Sequence, residues 1–213
     1  MAVSLWGGGL LVDRLSLFVS ITAAAFALIT CLLSDAYLRR LGARSAAFFA
    51  LLLLATAAVI VVASEREMMA LFIGLELLVL CLAGIAAVLK TDSRSVRGAI
   101  TVLIEGGVAA ALLLYGLSLL YGISGTTSFA GINGSVSRGP ALFTLGAGLV
   151  LLALAMPLGV MPFRRWLDHT AEHVPAVPAG FMAVMAMTAG AAGLLRASSG
   201  GLSVVLHPGV GLG

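Results

Sequence analysis

Six apolar runs, each about as long as a helix needs to cross a bilayer, constrain this chain more than any other feature. They cover residues 15–34, 46–64, 68–89, 99–121, 141–163 and 178–196. A hydrocarbon core about 30 Å thick takes about 20 residues of helix. Backbone groups in lipid must find their hydrogen bonds within the segment, and these runs do not alternate as strands of a membrane barrel would. The expected fold is therefore an all-α polytopic membrane bundle of six helices, one transmembrane domain over 1–196, followed by a short Gly/Ser-rich tail over 197–213. Composition closes off the alternatives. Only 10% of residues are charged and 61% are apolar, whereas a soluble domain carries about 25% charged residues. The net charge of +3 is too small for a phosphate-binding surface, so no nucleic-acid partner is expected; the lipid bilayer is. No cleavable leader pattern opens the chain.

The breaks between runs are polar. Counting basic residues in alternate connections gives Arg39, Arg40, Arg44, Lys90, Arg94, Arg97, Arg164 and Arg165 on one side, and Arg14, Arg66, Arg138 and Arg196 on the other. Eight against four places the first set in the cytoplasm or its equivalent. Both termini are then expected on the outer, positive side of a bacterial plasma membrane or an organelle inner membrane. The fifth run carries Pro157 and Pro162 in its second half. Each removes a backbone donor and crowds the preceding turn, so a break is expected there. Broken helices persist in a bilayer where protein or a water-filled cavity surrounds them.

Two carboxylates interrupt the apolar runs. Glu76 sits in FIGLELLVL and Glu105 in TVLIEGGVA. A charge at the bilayer centre costs about 2.5–3.5 kcal/mol on insertion scales, so such residues mark proton pathways or are held by a neighbouring helix. For Glu105, whose two following glycines invite close helix approach, a relay or cation partner and an outward interfacial position fit equally. Thr56, Thr101 and Thr188 are expected to bond their own helix backbone. His169, Glu172 and His173 match the H-x-x-E-H string of a zinc peptidase, but no acidic residue follows to complete the site. Cys31 and Cys81 lie inside apolar runs without paired spacing. No catalytic residue, metal or cofactor is expected in this chain.

Four strings together resemble one family. They are VDRLSLF over 12–18, LFIGLELL over 71–78, ALLLYGLSLLYGISGT over 111–126 and PFRRW over 162–166. The chain is similar across residues 10–196 to the N subunit (subunit 2) of proton-pumping NADH:quinone oxidoreductase, respiratory complex I, within the wider group of cation/proton antiporters. The resemblance implies two inverted five-helix repeats with flanking helices; this chain carries the equivalent of one repeat and one preceding helix. It also implies that Glu76 matches the family's helix-borne acid, which works with lysines on following helices. Those lysine positions here hold Thr101, Pro157 and Met187. Threonine, proline and methionine cannot exchange protons near neutral pH as a buried lysine can.

The resemblance therefore implies a membrane-arm subunit, mainly structural, with proton translocation degraded or lost. Its partners would be other membrane subunits of a complex I-like assembly; a split subunit, with the second repeat on a separate chain, is a variant of this expectation. Redox chemistry would reside in other chains. A free-standing or oligomeric antiporter module, supported by the intramembrane acids and the broken fifth helix, is the competing expectation; a scaffold without a redox parent is a third.

Overall fold

In a computed structural model of the chain, residues 3–5, 10–40, 45–87, 93–132, 139–160, 172, 174–199 and 202 are described. Two short strands, β1 (Val3–Leu5) and β2 (Leu10–Val12), pair antiparallel with Val3 opposite Val12. The helices that follow are α1 (Arg14–Arg40), α2 (Ser45–Ser64), α3 (Met68–Ala86), α4 (Ser93–Ser124), the single turn α5 (Phe129–Ile132), α6 (Pro140–Ala155) and α7 (Ala176–Ser199). Five of them contain stretches long and apolar enough to cross a membrane, and α6 is a shorter apolar helix. The molecule is an all-α polytopic membrane protein. The hairpin was not expected from the sequence.

The helices bury stripes rather than whole circumferences. On α2, Phe48, Leu52, Ala55, Val59 and Val62 recur at helical spacing and are buried. The opposite faces carry Leu53 and Leu54, and the outer face of α1 carries Leu17, Phe18 and Ile21, all exposed. Such exposure suits lipid. Lipid tails are as apolar as leucine, so helices associate by close packing, which favours small residues at their crossings. A Cβ at Gly116 of α4 would come 2.8 Å from the carbonyl oxygen of Gly146 on α6, and one at Gly146 would lie 3.1 Å from that of Gly116. A Cβ at Gly190 of α7 would lie 3.1 Å from the Leu154 carbonyl of α6.

Several boundaries depart from the runs read in the sequence; α1, for one, continues to Arg40, past the expected 34. The expected 141–163 helix stops at Ala155. Pro157 has no N–H to return to Ala153, the Met156 N–H donates to the Ala153 carbonyl at 3.3 Å, and Gly159 (φ +65°) turns the chain with its N–H on the Met156 carbonyl at 2.9 Å. Pro162 lies outside the described residues. The expected 68–89 helix ends at Ala86, and α4 starts at Ser93, ahead of the expected 99. Here the Ser95 hydroxyl donates to the Ala86 carbonyl, tying the first turn of α4 to the end of α3. At its far end α4 is closed by Gly125 (φ +69°), whose N–H donates to the Tyr121 carbonyl at 2.8 Å. The following residues pair with the α2–α3 turn: the Met68 N–H donates to Thr127 at 2.9 Å and the Phe129 N–H to Arg66 at 3.1 Å.

Candidate functional site

Four helix elements meet around Glu105. Val79 and Leu82 of α3, Val102 and Gly106 of α4, Met156 and Pro157 beyond α6, and Ala186 of α7 line a cavity of about 60 Å³ together with this carboxylate. That is about two waters' share of liquid volume. Gly106 makes the convergence possible: a Cβ there would fall 2.3 Å from a methyl of Val79. The walls are otherwise apolar side chains, so Glu105 brings the formal charge to the cavity wall.

The structure brings together some of the residues singled out in the sequence and separates others. Glu105 and Pro157 line the same cavity. Glu76 does not line it. It is half-buried near the middle of α3, one helical turn before Val79, and makes no hydrogen bond or ion pair among the described residues. The two carboxylates therefore do not share one pocket. The Thr101 hydroxyl donates to the Arg97 carbonyl of its own helix at 3.0 Å. Thr56 and Thr188 do the same toward Leu52 at 2.8 Å and Val184 at 2.6 Å, as the sequence led one to expect. Met187 is exposed beside Ala186 of the cavity wall. His169 and His173 lie outside the described residues, and Glu172 is exposed. No group of three or more metal-ligating side chains occurs among the described residues.

A second polar centre was missed in the sequence. Arg196, counted there as a loop charge, is a buried side chain on the last turn of α7. Its Nη1 lies 2.7 Å from Asp13 Oδ2 and its Nη2 lies 2.8 Å from Asp13 Oδ1, while Nε donates to the Ala63 carbonyl at the end of α2 at 2.7 Å. Asp13 is also the N-cap of α1. It accepts from the Ser16 N–H at 2.9 Å, and its own N–H donates to Ser16 Oγ at 2.9 Å. The readable signal was Asp13-x-x-Ser16 ahead of an apolar run, a capping pattern. Burial pushes the Asp13 carboxyl upward, but the Arg196 hydrogen bond and charge and the Ser16 hydrogen bonds outweigh it and hold the group below its ordinary value. At the same end of the bundle, Glu65 in the α2–α3 turn is buried and lifted above the usual carboxylate range by burial and by the Glu67 charge.

Known proteins resemble the chain along most of its length. A family model described as NADH:quinone oxidoreductase/Mrp antiporter, TM, matches residues 65–205. NADH-quinone oxidoreductase subunit N 1 of Sorangium cellulosum is 35% identical over 194 residues, 88% of this chain and 38% of that protein. Subunit N of Moorella thermoacetica is 34% identical over 198 residues, 92% of this chain and 41% of that protein. Among solved structures, respiratory complex I from Thermus thermophilus with bound aureothin superposes with a TM-score of 0.78 at 28% identity, covering 96% of this chain and 44% of the matched one. The Mrp complex from a Dietzia species gives 0.79 at 21% identity, a likeness of fold, over 95% and 39%. The chain spans about two-fifths of the length of the curated relatives it matches.

Proposed function

We infer the role of this chain from one premise: it belongs to the NADH:quinone oxidoreductase/Mrp antiporter transmembrane family. It is a membrane-arm subunit of a complex I-like NADH:quinone oxidoreductase, N-type and antiporter-like, that contributes structure while proton translocation through it is degraded or lost. The redox chemistry belongs to other chains, and other membrane subunits are its partners. In this reading residues 1–196 form one transmembrane domain: a leading helix, then a single five-helix repeat; the fifth helix of the six, which is the fourth of that repeat, is broken around 156–160.

The carrying observation is the combination at the three family lysine positions. Thr101 is turned onto its own backbone, Pro157 has no proton to give, and Met187 is apolar. A relay needs a neighbour whose charge toggles the acid's proton affinity. Glu76 has no such partner among the described residues. Glu105 remains a second relay candidate, in its own cavity away from Glu76.

The test is Glu76→Gln in the intact assembly, with subunit content checked in parallel. Normal assembly with an unchanged ratio of protons pumped per electron pair is the expected result. A sharp fall in that ratio with assembly intact would show that protons cross this subunit. The alternative, a free-standing antiporter module, draws on the fold likeness to the Mrp complex. Alternating access usually needs two halves around one site. Ion flux by the purified chain alone in liposomes would favour that module.

A further inference from the structure

We propose that the Asp13–Arg196 pair is a latch: its charge, rather than the helix-capping hydrogen bonds of Asp13, holds α1 against the ends of α7 and α2. This inference is independent of whether protons cross the chain. The geometry engages all three guanidinium nitrogens. Two nitrogens make the parallel fork on Asp13, at 2.7 and 2.8 Å, and the third reaches the Ala63 carbonyl at 2.7 Å. Only a planar fork can serve a carboxylate and a helix-end carbonyl together in this way. The side chains are 7% exposed for Arg196 and 25% for Asp13.

Each helix end receives the charge sign that its dipole favours. Arg196 sits in the last turn of α7 and against the last turn of α2, where carbonyls point outward, and Asp13 caps the start of α1, where N–H groups do. The latch joins residues 183 apart in sequence, the first and last long helices of the bundle.

The rest of α1 explains why a latch matters. Among the described residues its buried face consists of Ser16, Val19, Ala23, Ala27, Thr30 and Ser34, with no large side chain to interlock with a neighbour. In lipid no hydrophobic force replaces such interlocking. The alignment of α7 matters in turn to the cavity, because Ala186 is one of its walls and a Cβ at Gly193 would press within 2.9 Å of a Leu154 methyl.

The proposal separates from simple helix capping by choice of substitution. Asparagine caps a helix about as well as aspartate but carries no charge. Hydrogen exchange would be followed in the full chain within its membrane assembly, at the first turn of α1 and the last turn of α7. Asp13→Asn and Arg196→Met are each expected to speed exchange about tenfold or more at both ends, with the double variant no faster than the faster single one. Ser16→Ala, which disturbs the cap and spares the pair, is expected to act on α1 alone. If a single variant fails to accumulate, Arg196→Lys, keeping the charge but not the fork, is expected to give intermediate exchange at both ends. An Asp13→Asn or Arg196→Lys protein that changes at α1 only, or additive effects in the double variant, overturns the latch.

Discussion

Asp13 and Glu65 stand at the same end of the bundle, yet their surroundings push them in opposite directions. For Asp13 the folded value lies below the ordinary 3.8. Its stabilising contribution is therefore complete above that ordinary value and is lost as pH falls through the depressed folded one. At pH 7, Asp13→Asn should cost about 2–3 kcal/mol in a denaturant titration, less than breaking a fully buried ion pair because one partner is partly exposed. Glu65 behaves inversely. Its folded value is raised above 4.5 by burial and Glu67, so ionisation penalises the folded state once pH climbs through that range. Glu65→Gln should raise Tm at pH 7, and the gain should shrink to nothing below the ordinary value, where folded and unfolded chains are both protonated. A Tm unchanged at pH 7 would contradict this. Glu76 and Glu105 were visible in the sequence because an acid inside an apolar run is costly and stands out against it. Asp13 and Arg196 were not, because charges at the edge of a run look like solvated loop ends until the fold brings two edges together.

At the scale of the helix, the crossing of α4 and α6 depends on the absence of two side chains. A Cβ at Gly116 would meet the Gly146 carbonyl at 2.8 Å and Val150 Cγ2 at 2.9 Å. A carbonyl oxygen in a helix cannot step aside as a side-chain tip can. Gly116→Ala should thus destabilise by about 1–3 kcal/mol in unfolding by denaturing detergent. Gly148→Ala, on the open face of α6 with nothing within 4 Å, should be neutral or gain up to about 1 kcal/mol of helix propensity. Equal effects at the two sites would remove the close crossing as a source of stability. The existence of the six apolar segments was legible because lipid demands a continuous run. Their ends were less so. Hydropathy continues past Ala155 through Leu158 and Val160, while the helix stops where Pro157 withdraws a donor. The start of α4 is polar, and its helical state owes much to Ser95 reaching across to Ala86, a tertiary bond that no local pattern encodes. Strands of three residues, such as β1 and β2, are too short for alternation to show.

For the whole molecule, contacts between helix ends define two poles without reference to a membrane. Arg196 joins the end of α7 to the start of α1 and the end of α2. Ser95 joins the start of α4 to the end of α3. Since α3 begins three residues after α2 closes, with only Glu65, Arg66 and Glu67 between them, the Arg196 pole and the Ser95 pole lie at opposite ends of a 19-residue helix about 28 Å long. In the sequence, the connections counted with the α3–α4 loop carry eight basic residues and those counted with the α2–α3 turn carry four. A charge bias of that kind orients a chain during insertion, so we predict that the Ser95 pole faces the cytoplasm. Single cysteines at Ser93 and Ser199, both exposed, would report it once Cys31 and Cys81 are replaced by alanine. A membrane-impermeant maleimide should label Ser199→Cys in intact cells and Ser93→Cys only after permeabilisation. The reverse pattern would invert the orientation and leave the fold untouched. Labelling of both from one side is incompatible with the two poles themselves, because the bonds made by Arg196 and Ser95 leave no arrangement in which these serines share a face of the bilayer.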